Sequence, residues 1–180
     1  MKLKLLIFLF LVPFFQNSYP GYDEAYFHVN NKKYMVSELN LEIILDEFGS
    51  NYEPIEAKTA ALVDSNLKPI NQTSFLRLIY NDEGVEFFIK SDKEIPLSDG
   101  FVRKSNQIDF TQITPEEVRI YSKDVTTNVG IQIGDSQETV ENLFGKSEAG
   151  WAPVKYRSIG LGFNLDAQKK VEQISISKPY

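Results

Sequence analysis

Two short stretches of this chain place apolar residues at helical spacing and then stop at a Phe-Gly pair. Residues 40–49, "NLEIILDEFG", set Leu41, Ile44, Leu45 and Phe48 on one face ahead of Gly49. Residues 137–145, "QETVENLFG", set Val140, Leu143 and Phe144 ahead of Gly145. Glycine just past the last apolar position is the residue that most readily ends a helix. When the Phe-Gly pairs are superposed without a gap, Glu42 falls on Glu138, Ile44 on Val140 and Asn40 on Ser136. Asparagine and serine are both good helix caps. The second start also reads with Asp135 as the cap, which puts Glu138 at the third helical position and makes an arrangement like a capping box.

A period of two surrounds these helices. "KKYMVSEL" and "NVGIQIGD" predict short strands entering them. "SFLRLIYNDEGVEFFIK" predicts a hairpin turning at Asn81-Asp82-Glu83-Gly84 and resuming at Val85. "YRSIGLGFNLDAQKKVEQISI" alternates through Ile159, Leu161, Phe163 and Leu165, turns around residues 166–170, and resumes with Val171, Ile174 and Ile176. Aligning the turns puts Val85-Glu86 on Val171-Glu172. The expectation is an α+β chain of two tandem repeats, 19–92 and 109–180, each a helix plus an antiparallel meander, with the helices on one face of the sheet. The polar, turn-rich segment 93–108 reads as the connection. Thr114-Pro115-Glu116-Glu117 predicts a short capped helix, and Gly160 and Gly162, inside a strand pattern, predict a bulge or a close backbone approach.

The N-terminus changes the picture of destination. Lys2 and Lys4 precede an apolar run from Leu5 to Phe15, broken by Pro13. The run is short of the ~20 apolar residues that span a bilayer and fits the core of a secretory signal peptide, expected over residues 1–18. Removing it leaves 17 basic residues against 25 acidic ones, a formal charge of −8 in place of −6. That excess argues against nucleic acid and anionic lipid, and mildly favours a basic protein partner. No later segment has the length of a membrane span, so a secreted or periplasmic product is expected. The absence of cysteine removes disulfides, thiolate metal sites and a lipid-anchoring thiol.

The sharpest chemical candidate is Ser136, because Gly134-Asp135-Ser136 resembles the nucleophile block of certain hydrolases. A serine hydroxyl needs a base, normally a histidine. The single histidine, His28, lies far upstream, and the C-terminal "KKVEQISISKPY" has no histidine where that family carries one. Helix capping explains Ser136 better. Glu38, Glu42 and Asp46 recur every four residues on the outward stripe of the first helix, which suits a solvated face more than a catalytic pair. One histidine and no cysteine give no zinc set, and the acids of "NDEG" and "DSNLK" lack the ligand ladder of a calcium loop. Neither metal nor cofactor is expected. Aromatic anchors remain: Tyr22 and Tyr26 near the N-terminus, Trp151 in the loop after the second helix, and Tyr156 beyond it. Core packing is the competing use of Trp151.

"IQIGDSQETVENLFGKSEAG" followed by "YRSIGLGFNLDAQKKVEQISI" resembles the small repeat of exported bacterial proteins in the beta-lactamase inhibitor protein-like group and of small outer-membrane assembly lipoproteins. The resemblance implies a tandem α+β repeat, without catalysis, that binds other proteins in the envelope or outside it. The chain departs from those lipoproteins in having no lipidation cysteine, and from the inhibitors in having no disulfides. The leading expectation is thus an exported non-enzymatic protein-binding module, contacting its partner through a concave sheet surface or the loops after the helices. The alternatives are a small serine hydrolase using Ser136 and a structural envelope protein held by an uncleaved N-terminus.

Overall fold

A computed structural model describes residues 24–58, 62–63, 69–70, 74–91, 95–98, 101–103, 108–147 and 154–178. The expected leader over residues 1–18, Tyr22 and Trp151 lie outside the described residues. Among those residues, no helix is long and apolar enough to cross a membrane.

In chain order the elements are β1 (Tyr26–Val29), β2 (Lys32–Met35), α1 (Leu41–Phe48), β3 (Glu53–Lys58), β4 (Leu62–Val63), β5 (Pro69–Ile70), β6 (Ser74–Tyr80) and β7 (Val85–Ser91). They continue with β8 (Leu97–Ser98), β9 (Phe101–Val102), β10 (Pro115–Ile120), β11 (Thr126–Thr127), α2 (Gln137–Phe144), β12 (Val154–Tyr156), β13 (Leu161–Leu165) and β14 (Val171–Ser177). Seven strands form one antiparallel sheet in the order β12-β13-β14-β10-β7-β6-β3, and β11-β1-β2 form a smaller one. The class is α+β, with two short α-helices and open antiparallel sheets among the described residues.

Strand register explains why one sheet forms. Pro54, Leu78, Phe87, Val118, Ile176, Leu161 and Tyr156 are paired in turn across all seven strands. Every residue in that row from Leu78 to Tyr156 is buried. The neighbouring row, Tyr80, Val85, Ile120, Ile174, Phe163 and Val154, is buried on the same face. Each such side chain stabilises by about 1.5–3 kcal/mol on leaving water, so a slip by one residue would lose the face as a whole.

Both helices lie over this face. Phe48, at the end of α1, packs on Tyr80 and Phe87 at 5.3 and 4.9 Å between ring centres, and Phe144, at the end of α2, packs on Tyr156 and Phe163 at 5.3 and 5.9 Å. The small sheet joins the same core through Phe27 and Tyr34, whose ring lies 5.1 Å from Phe48. The helix starts are satisfied by side chains: Asn40 Oδ1 accepts from Ile43 N–H at 2.9 Å, and Ser136 Oγ from Thr139 N–H at 3.1 Å. At both helix ends glycine takes positive φ, 77° at Gly49 and 80° at Gly145. The carbonyl of each glycine accepts a buried tyrosine hydroxyl, Tyr80 at 2.9 Å and Tyr156 at 2.6 Å. The two tyrosines come from non-equivalent strands.

Several sequence expectations are corrected. Ser136, not Asp135, caps α2; the Asp135 carboxylate instead accepts from Gln132 N–H at 2.8 Å and braces the turn before the helix. Thr114-Pro115-Glu116-Glu117 starts no helix, because β10 is a central strand and its β-favouring residues are claimed by β7 and β14. Proline is accommodated at the first position of the strand, beside a register shift between Pro115 and Glu117. The segment "NVGIQIGD" alternates in burial but makes no ladder beyond β11, since Gly130 and Gly134 have φ of 74° and 98°. Leu143, predicted to face the core, is 45% exposed. Glu38 lies in a 3-10 turn ahead of α1, so the predicted acidic stripe is not one helical face. In the β13–β14 hairpin the bulge falls at Asn164 and Leu165, while Gly160 adopts a left-handed turn and Gly162 sits in regular strand.

Candidate functional site

The face of the large sheet away from the helices is built by the other half of each strand's alternation. It carries Arg77 from β6, Glu86 and Phe88 from β7, Glu117 and Arg119 from β10, and Gln173, Ser175 and Ser177 from β14. A groove of about 800 Å³ opens on this face toward β12 and β13, with Phe88, Arg119, Gly162, Ser175, Lys155 and Arg157 among its walls.

A charge network closes one side of the groove. Glu86 is fully buried, although it sits on the open face, because arginines and a tyrosine cover it. Arg77 Nε donates to Glu86 Oε1 and its Nη2 to Oε2 at 3.1 Å, the Tyr121 hydroxyl donates to Oε2, and Arg119 Nη1 approaches Oε1 at 3.5 Å. Arg119 Nε also donates to Glu117, and its guanidinium lies 5.3 Å from the centre of the Phe88 ring. Burial works to raise the Glu86 carboxyl, but the bonds from Arg77 and Tyr121 and the charge of Arg119 outweigh it and hold it below its ordinary value. Burial, and then the bond to Glu86, push the Tyr121 phenol up to about 12. Hydrogen bonding to Glu86 raises Arg77, and Glu117 and Glu86 together raise Arg119 against the opposing effect of its burial. The charges of Arg77, Glu86 and Arg119 are therefore held around neutral pH, and their network walls one side of the groove.

Of the residues singled out in the sequence, the described ones, Tyr26, Tyr156 and Ser136, lie elsewhere. Tyr156 is wholly buried, its hydroxyl spent on Gly145, and so has the core role that aromatics of a small domain often take. Tyr26 is half-buried on β1, edge-on to His28 at 5.3 Å and beneath the Lys33 ammonium at 4.0 Å, in the small sheet. The structure does not bring Tyr26 and Tyr156 into one patch. Ser136 is exposed, and its hydroxyl is shared with the Thr139 N–H and the Thr139 hydroxyl, the latter at 2.9 Å. Among the described residues no three His, Cys, Asp or Glu side chains gather as a metal site.

The charged network went unread in the sequence. Its signal was partial: Arg77 in "SFLRLIY" and Glu86 in "VEFFI" each break an apolar run with one charge, of opposite sign, whereas Arg119 follows the two glutamates of "PEEVRI". Such charges need partners when strands pair, but which strands pair is not written in any one of them.

No family model matches the chain, and comparison with curated proteins and with solved structures gives no match either.

Proposed function

We propose that this chain is an exported, non-enzymatic binding protein, made of two related helix-plus-meander units, which holds a segment of another protein on the open face of its large sheet. The observation that carries this reading is the groove itself. A sheet face walled by a fixed charge network presents a preorganised surface, so little ordering entropy opposes association. The resemblance to inhibitor-like exported repeats supports the same reading, as do the signal-like N-terminus and the use of Ser136 as a cap.

Photo-crosslinking from single sites tests the reading. A crosslinking residue at Ser177, in the groove, is expected to give discrete adducts in the exported fraction, whereas one at Leu143, on the exposed side of α2, gives none. Equal adducts from both sites, or none from Ser177, would overturn the binding reading. Ser136→Ala is expected to cost ~1 kcal/mol of stability through the lost cap and to change no ester-hydrolysing activity of the purified protein. A reproducible esterase abolished by that substitution would establish the hydrolase in its place.

A further inference from the structure

β12, three residues long, ends the large sheet and has a strand partner, β13, on one side only among the described residues. A strand residue turns its N–H and C=O to the same side, and successive residues turn to opposite sides. Lys155 N–H donates to Ser147 Oγ at 3.1 Å, so the Lys155 backbone faces away from β13 while Val154 and Tyr156 face toward it. The Val154 carbonyl agrees, lying 3.9 Å from where a Gly162 Cβ would stand. Lys155 is therefore the residue of β12 whose backbone points out of the sheet.

The end of α2 delivers the hydroxyl to this edge. The Tyr156 hydroxyl donates to the Gly145 carbonyl at 2.6 Å, and the preceding residue, Lys155, holds Ser147 two positions further along. Adjacent residues of β12, one by its side chain and one by its backbone, thus clip the chain leaving α2 onto the edge. The outward donors stop there: Pro153, ahead of the strand, has no N–H, and a 3-10 turn over Arg157–Ile159 follows.

An open edge is a template for another strand, and sheets carry devices against it. At the far edge β3 has Pro54 and, beside buried Leu76 on the core face, the exposed charge of Glu56. At β12 the corresponding devices are the Ser147 hydroxyl and the Lys155 side chain. Symmetry defines the partner they exclude. Because the outward residue is the middle one of three, a twofold axis through it pairs β12 with itself, each Lys155 N–H donating to the Lys155 carbonyl of the other copy. The two Lys155 side chains, exposed on the open face, would then stand directly opposite each other, where like charges are destabilising.

We infer that Ser147, by occupying the outward N–H of β12, and Lys155, by its charge, keep this edge closed to a second copy of the chain. Without both, two β12 edges pair and two large sheets become one continuous sheet. Such a contact uses the same patch on each copy and closes on itself, so association stops at the dimer. Pro54 denies the β3 edge the same route to longer assemblies.

Sedimentation velocity across a dilution series, with hydrogen exchange read at the amide of position 155, tests this on the purified full chain. Wild type, Lys155→Thr and Ser147→Thr, which keeps the hydroxyl, are expected to be monomers with that amide protected. Ser147→Ala combined with Lys155→Thr is expected to form dimers on concentration. Its amide at position 155 exchanges about tenfold or more faster than that of wild type when dilute, and regains protection in the dimer. Should the double variant fail to fold, as judged by its thermal melt, Ser147→Ala alone in ~0.5 M salt, which screens the facing lysines, takes its place with the same expectation. A folded variant that stays monomeric at every concentration overturns the inference, and so does a wild type that is already a dimer. Dimers of Lys155→Thr equal to those of the double variant leave Ser147 no part in the guard and overturn its role. Dimers whose amide at position 155 exchanges as fast as in the dilute monomer place the contact elsewhere and overturn β12 as the edge involved.

Discussion

Glu86 shows at the level of one residue how burial and function separate. A carboxylate taken out of water costs several kcal/mol unless it is paired and hydrogen-bonded, and here two arginines and a tyrosine do both. Glu86→Gln leaves Arg77 without its counter-charge and Arg119 with Glu117 alone, and is expected to lower stability by about 3 kcal/mol. The pH dependence has a definite sign. Because Glu86 is held below its ordinary value in the fold, its contribution is fully present above the unfolded carboxyl value, near ~4.3, and is lost as pH falls through the folded value. Urea unfolding of wild type and Glu86→Gln should therefore differ most at neutral pH and converge on acidification. Tyr121 acts at the other end of the scale. Its phenol, raised to about 12, stabilises the fold fully below the unfolded value near ~10 and loses that contribution as pH rises through about 12. Tyr121→Phe should remove that alkaline slope in thermal melts. None of this was legible from Glu86 alone, since "VEFFIK" reads as a strand whose two charged positions, Glu86 and Lys90, face solvent.

Among the elements, the helices were the most legible and the connections between strands the least. Eight residues with a cap at one end and Phe-Gly at the other define α1 and α2 locally, so spacing, caps and terminators agree. The first residue of α2 was misplaced because aspartate and serine are both competent caps, and the choice falls to the turn that Asp135 braces through Gln132. The β6–β7 turn is a case in which sequence gives the glycine and structure gives its reason. Gly84 has φ of 69°, and a Cβ there would lie 2.2 Å from the Ser122 Cβ, just where its carbonyl accepts from Tyr121 N–H at 2.9 Å. Gly84→Ala is expected to cost about 2–4 kcal/mol, the sum of left-handed strain and a clash against backbone that is held in place. Denaturant unfolding that gave less than ~1 kcal/mol would show that the β10 end yields easily. By contrast "TPEE" failed as a helix signal, since local propensity of a few tenths of a kcal/mol per residue cannot compete with a central strand position flanked by β7 and β14.

For the whole molecule, the continuous sheet decides cooperativity. β10 is paired on one side with β7 and on the other with β14, so the strands before and after the connection share one ladder and one core. β1 pairs with β11 across the same divide. Unfolding should be a single transition, with tyrosine fluorescence and far-ultraviolet dichroism giving coincident curves; two separated midpoints would show that the halves are independent. The sequence by itself determined the two helices and their Phe-Gly stops, the two long hairpins and the α+β class, because each rests on contacts within a few residues. Only the tertiary structure decided that the two meanders join through β10, that Tyr156 turns inward, and that Arg77, Glu86, Arg119 and Tyr121 meet on one face. These depend on pairing between residues up to about a hundred positions apart, such as Tyr26 N–H with Asn128 Oδ1, and that pairing is chosen by the burial of a whole face at once.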